Sequence, residues 1–167
     1  MSDIRIREGR KDDLPRVLEL VRELAAYERA LDEVTNSVEK MQDDGFGQNP
    51  IFGFFVAELN SVIIGLSLYY WRYSTWKGKR LYLEDIIVTE SYRGKGMGKH
   101  LFDRTMQKAL DENCSGMMWQ VLDWNEPAIH FYKKYGAKLD GEWINCHLES
   151  DQIKTLLAKD QTSSSNV

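Results

Sequence analysis

Between Leu81 and His100 the chain reads LYLEDIIVTESYRGKGMGKH, where a strand-like apolar run gives way to alternating glycines and then to a helical pattern. Gly94, Gly96 and Gly98 let the backbone turn tightly, and successive N–H groups entering a helix form a nest for an anion. Arg93, Lys95 and Lys99, flanking Met97, add full positive charge. A pyrophosphate is the natural occupant. A P-loop would need Ser or Thr after its lysine, whereas His100 follows Lys99. A dinucleotide fingerprint needs two residues between its second and third glycines, and here Met97 stands alone between them. On the pattern alone, an anion cradle and a plain flexible turn are equal alternatives.

The same stretch carries adjacent carboxylates, Glu84 and Asp85. Strand alternation sends neighbouring side chains to opposite faces, so they are not expected to serve one substrate as a paired acid and base. An exposed ion pair is the ordinary reading of either. His100, His130 and His147 have no metal-ligand spacing, and Cys114 and Cys146 fit neither a zinc site nor a disulfide framework. No metal is expected, and the default is a reduced, cytoplasmic protein without a signal peptide.

The elements that must position these groups read as α/β. Ile4–Arg7 alternates like a half-buried strand. Asp12 and Asp13 offer N-caps to a helix with Pro15 in its first turn, which keeps helical spacing through Leu14, Val17, Leu18, Val21 and Leu24 to about Arg29. A shorter helix is expected over Ser37–Asp44. Strands Phe52–Leu59 and Val62–Trp71 flank an Asn60-Ser61 hairpin turn, and Leu81–Val88 follows. The helix after the glycines places Leu101, Thr105, Met106, Ala109 and Leu110 on one face. Met117–Val121 is a strand, Pro127–Tyr135 a helix, Trp143–His147 a last strand and Ser150–Ala158 a terminal helix. Residues 1–160 are expected to form one domain, with 161–167 as a frayed polar tail.

Six segments in order resemble the Gcn5-related N-acetyltransferase family, in its spermidine/spermine and thialysine N-acetyltransferase branch. They are ELAAYE (23–28), DGFG (44–47), YSTWKG (73–78), YLEDIIV (82–88), YRGKGMG (92–98) and VLDWNEPAIHFYKKYGA (121–137). The resemblance implies a central mixed, mostly antiparallel sheet flanked by helices, with the strands Leu81–Val88 and Met117–Val121 splayed apart. It implies acetyl-CoA as co-substrate, cradled by the backbone of Arg93, Gly94, Lys95, Gly96, Met97, Gly98 and Lys99. Ile86, Ile87 and Val88 would pair with the pantetheine arm, and Asn125, Pro127 and Ala128 would add contacts, although Asn before a helical Pro is also a simple cap. Tyr132 matches the acid beside the sulfur and Glu84 the carboxylate that serves the amine, with Asp85 structural. Tyr27 and Glu28 match residues that hold the acceptor's far amine. Trp76 would wall the acceptor cleft, unless it is core like the other four tryptophans. A homodimer is implied as well.

Composition excludes other classes. The 167 residues are 43% apolar, enough for a core, and no apolar run approaches the length of a membrane span. A net charge of −4 argues against a nucleic-acid binder and permits a small cationic acceptor. The chemistry expected is acetyl transfer to a primary amine, with thialysine, a lysine-like amine or a short diamine favoured over long polyamines. The alternatives are another acceptor on the same fold, such as a polyamine, an α-amine or a protein terminus, and a non-catalytic acyl-CoA sensor.

Overall fold

A computed structural model describes the backbone of residues 4–163 and the side chains of residues 4–159. Residues up to Trp124 form one compact unit, and those from Asn125 form a second. The first unit holds a five-stranded sheet in the order β1 (Ile4–Glu8), β2 (Gly53–Leu59), β3 (Val62–Ser74), β4 (Gly78–Val88) and β5 (Met117–Trp119). The pairs from β1 to β4 are antiparallel, and β5 joins β4 in parallel. This is the mixed, mostly antiparallel sheet that the sequence implied.

Local chemistry explains the turns. Asn60 and Ser61 both take left-handed backbone (φ 49° and 65°), as a two-residue hairpin turn requires. The next hairpin is longer than expected, because Ser74 pairs with Gly78 across a three-residue tip. The Ser74 hydroxyl accepts from the N–H groups of Trp76 and Lys77, and Gly78 closes the turn at φ 84°.

Helices α1 (Leu14–Tyr27) and α2 (Val38–Phe46) cover one face of the sheet, and α3 (Met97–Asp111) covers the other. On the α1 side Leu14, Val17, Leu18 and Met41 pack on Phe54, Val56, Leu66, Leu68 and Ile87. On the α3 side Leu101, Phe102, Thr105 and Ala109 are buried, whereas Leu110 is exposed, contrary to the expected apolar face. There the buried Ser67 and Thr105 hydroxyls lie 2.9 Å apart, and Thr105 also donates to the Leu101 carbonyl.

The second unit contains α4 (Glu126–Lys134) and α5 (Ser150–Ser163). The strand expected over Trp143–His147 does not form: residues 137–149 pair with no strand, and Trp143 and Ile144 are exposed. Its apolar alternation has no ladder to join within the described residues. Positions 161–163, expected to fray, continue α5, and the rest of that tail lies outside the described residues.

Asp13 stands at the N-cap of α1, as its position suggests, but its side chain makes no cap bond into that helix. It accepts from the Arg10 N–H at 2.7 Å and from both terminal nitrogens of Arg7 at 2.7 and 2.9 Å. Arg7 also reaches Glu58 at 2.7 Å, so a mostly buried guanidinium ties the entry of α1 to β1 and β2. The Arg7 guanidinium holds both carboxyls below the usual range. A depressed carboxyl stabilises the fold above its unfolded pKa and loses that contribution as pH falls through the folded value. The wild type should therefore lose stability below about pH 4. Arg7→Leu strands two carboxylates and should cost about 3–5 kcal/mol at pH 7. Urea titrations at pH 7 and about pH 3 check this. The variant should be less sensitive to acid than the wild type, and equal acid sensitivity would show that Arg7 does not hold the pair.

Candidate active site

Strand β4 carries one residue more than β3 opposite it. Leu68 faces Asp85 and Tyr69 faces Leu83, which leaves Glu84 as the extra residue of a β-bulge. Leu68 belongs to the α1-side core, so its partner Asp85 points to that side. The paired Tyr70 and Tyr82, their rings 5.0 Å apart, lie on the same side and both sense the Glu84 charge. Glu84 and Asp85 thus share one face. The opposite-face expectation assumed unbroken alternation, and the bulge breaks it.

Charge accumulates around this pair. Burial, then Glu84, then Glu28 push the Asp85 carboxyl up to about 7. Partial burial also raises Glu28, the residue that closes α1. Burial and the neighbouring Glu84, which accepts a hydrogen bond from its hydroxyl, push Tyr70 up to about 12. Three carboxylates, Glu28, Glu84 and Asp85, therefore converge where nothing but a cation or protons can relieve their repulsion. The place of Tyr70 and Asp85 beside Glu84 is not legible in the sequence, because no spacing rule announces a bulge.

Strand pairing on the β5 side stops at Leu83–Trp119, while β4 runs on through Glu84 to Val88. Ile86, Ile87 and Val88 pair with Ser67, Leu66 and Gly65 of β3, and beyond Leu83 their other edge has no strand beside it among the described residues. This is the splay expected of β4 and β5.

The glycine loop follows directly. Gly94 and Gly96 take φ of 77° and 82°, and Gly96 is the N-cap of α3. A Cβ on Gly96 would meet open space, so its backbone angle, and not a clash, demands glycine. Gly98 lies inside α3 at an ordinary angle, and the Met97 side chain is buried, which leaves Met97 its backbone for any ligand contact. The loop cations are partly engaged. Arg93 donates to the Val88 carbonyl at 2.8 Å and lies over the Tyr27 ring, Lys95 lies over Tyr92, and Lys99 pairs with Asp103.

Tyr27 and Glu28 thus stand beside the loop arginine and the β4 carboxylates, whereas Trp76 does not join them. It sits at the β3–β4 hairpin tip, 85% exposed. Six residues separate Gly78 from Glu84, roughly 20 Å along a strand. The tryptophans expected in the core are largely outside it, since Trp71, Trp124 and Trp143 are exposed too. In the second unit, Asn125 caps α4 by accepting from the Ala128 N–H at 3.4 Å, Pro127 lies in the first turn, and Tyr132 packs edge-on to Phe131. Among the described residues no helix is long and apolar enough to cross a membrane, no set of three His, Cys, Asp or Glu could hold a metal, and both cysteines are free.

Comparison with known proteins gives this geometry a context. Residues 16–137 match the acetyltransferase (GNAT) family. The chain is 39% identical to the thialysine N-epsilon-acetyltransferase of Sus scrofa, over 95% of this chain and all of that protein. It is 38% identical to the spermidine/spermine N(1)-acetyltransferase-like protein 1 of Homo sapiens, over 82% of this chain and 21% of that longer protein. An aminoglycoside N-acetyltransferase solved in complex with CoA shares the fold, with a TM-score of 0.68 at 20% identity over 90% of this chain and 97% of that one. A bulged, open-edged β4 running into a glycine turn, with this near full-length identity, shows that the chain belongs to the GNAT family and is an acetyl-CoA-dependent N-acetyltransferase.

Proposed function

We propose that this chain moves the acetyl group of acetyl-CoA directly to a primary amine of a small cationic acceptor. Thialysine, a lysine-like amine or a short diamine is favoured over a long polyamine. The observation that carries this is the bulge, which turns Glu84 and Asp85 toward Glu28 and makes a place for ammonium. The name of the Sus scrofa relative supports thialysine as the acceptor type. We take residues 1–160 as one catalytic domain, supported by a family match that spans both compact units.

The residues fit the donor. The first N–H groups of α3 have no intrahelical acceptor and suit a pyrophosphate, approached by Gly94, Lys95, Gly96 and Gly98. The free edge at Ile86–Val88 offers backbone groups to an amide-bearing arm, and Asn125, Pro127 and Ala128 present the start of α4. The acceptor arrives as an ammonium, because an amine of pKa about 10.4 leaves roughly one molecule in a thousand free near neutrality. Glu84 takes a proton from it, directly or through water, and Glu28 and Tyr27 hold the far end. The nitrogen then bonds to the thioester carbon and the C–S bond breaks. Tyr132 gives its proton to the departing sulfur and regains one released from nitrogen, while the other leaves to solvent. A phenol near 10 is a weaker acid than a thiol near 8.5, so this transfer accompanies bond cleavage and does not precede it. We take the chain as a homodimer, in which Ser74 and Trp76, at the distant hairpin tip, would reach the acceptor of a second copy.

The cradle acts through backbone, so Gly96→Val should weaken acetyl-CoA binding at least tenfold, because valine resists φ near +82°. Lys95→Ala should change it less than threefold. Calorimetry on folded variants decides, and equal losses would refute a backbone cradle.

Tyr132→Phe should lower kcat by roughly ten- to a thousandfold with donor affinity kept. Glu84→Gln should instead raise KM for the amine and move the pH profile toward alkali, where the acceptor arrives deprotonated. A Phe variant as fast as wild type would leave Tyr132 a packing residue.

Thiol-release assays across an amine panel test the acceptor class. The kcat/KM for thialysine or short diamines should exceed that for spermidine and spermine. Ser74→Asp keeps an oxygen acceptor for the turn and adds a carboxylate to pair with a further ammonium, so it should improve polyamine use. A tenfold wild-type preference for spermidine would overturn the acceptor assignment.

A further inference from the structure

Helix α1 ends in a way that spends stability on a side chain. The Ala30 N–H bonds back to the Ala25 carbonyl at 2.8 Å and the Arg29 N–H to the Ala26 carbonyl at 3.1 Å, with Arg29 left-handed at φ 61°. This double closure normally puts glycine at the left-handed position, since a Cβ there costs about 1–2 kcal/mol. The arginine that stands there instead lays its guanidinium 4.3 Å from the centre of the exposed Trp124 ring. Tyr27 lies 6.0 Å from Trp124 on its other contact, and Arg93 covers Tyr27 at 5.4 Å. Arg93 is anchored to the Val88 carbonyl, but Arg29 forms no ion pair among the described residues. An exposed arginine held flat on an aromatic ring keeps its N–H edge free for a bidentate oxyanion.

We infer that Arg29 binds the α-carboxylate of an amino-acid acceptor, making it a specificity-determining residue of the acceptor site. The inference rests on the acceptor-amine reading above and narrows it. Glu28 and Arg29 are consecutive, so an ammonium and a carboxylate on one carbon can be taken by neighbouring side chains. The distal amine is left for Glu84 and Asp85. A diamine lacks the carboxylate and gains nothing from Arg29, and a long polyamine would bring a cation against it. Charge on one residue thus selects for zwitterionic acceptors and against polycations.

The test compares thialysine with its α-carboxamide, which keeps both amines and removes only the negative charge. The wild type should show kcat/KM at least tenfold higher for thialysine. Arg29→Gly removes the side chain while suiting the left-handed backbone, so its melting temperature should be no lower than that of the wild type. In this variant KM for thialysine should rise tenfold or more with kcat within twofold, and constants for the carboxamide should stay within twofold. Arg29→Lys should recover part of the discrimination. Equal effects on both acceptors, or no effect on either, overturn the role of Arg29 and leave the transferase reading standing. A wild type that acetylates neither compound nor any diamine overturns that reading and the inference together.

Discussion

Strand β4 has one more residue than its antiparallel partner, and the convergence of Glu28, Glu84 and Asp85 depends on where that surplus falls. It falls at Glu84, immediately beyond Leu83, where pairing with β5 ends. A bulge leaves the ladder locally incomplete and increases twist, so one local irregularity both turns two carboxylates toward α1 and coincides with the loss of a neighbouring strand. Were the alternation intact, Asp85 would lie against α3 and Glu84 would meet Glu28 and the tyrosines alone.

The acidic cluster and the open edge would serve different partners in the proposed reaction, but they share a short length of backbone. On one face, Glu28, Glu84 and Asp85 repel one another, and burial has already moved the Asp85 carboxyl to about 7. An ammonium bound there, as proposed, would relieve that repulsion and link binding to proton release. Along the edge, the proposed donor contacts use main-chain groups, so the identities of Ile86 to Val88 would matter only for the packing behind them. In the proposed site the glycine loop would extend this logic into α3, whose first N–H groups have no intrahelical acceptor.

Much of this was legible in the residues. The Asn60-Ser61 turn, the Gly94–Gly98 entry into α3, the Asn125 cap and the α1 stripe each have a local cause, and local causes can be read from sequence. The bulge could not be read, because its cause is register between strands and nothing in LEDII distinguishes it from regular alternation. The bond that the Asp13 side chain makes is hidden for a similar reason: its partner, Arg7, lies on another element. Trp143–His147 has the composition of a strand, yet composition does not supply a neighbour to pair with. Arg29 escaped notice because an arginine after a helix looks like ordinary surface charge until its φ and its stacking on Trp124 are seen.

The Ser67–Thr105 contact has a geometric consequence. An α-helix lying on an apolar sheet can slide and roll at little cost, because dispersion has no direction. One buried hydroxyl pair works as a peg, fixing α3 at a single height and a single rotation on β3. Gly96, nine residues before Thr105, inherits that setting, so the mouth of the loop is indexed to the sheet by a contact more than two helical turns away. The two positions are therefore coupled. Losing the Thr105 hydroxyl strands Ser67 in a dry interior, whereas losing Ser67 leaves Thr105 its bond to the Leu101 carbonyl, so the joint is more sensitive on the helix side than on the sheet side.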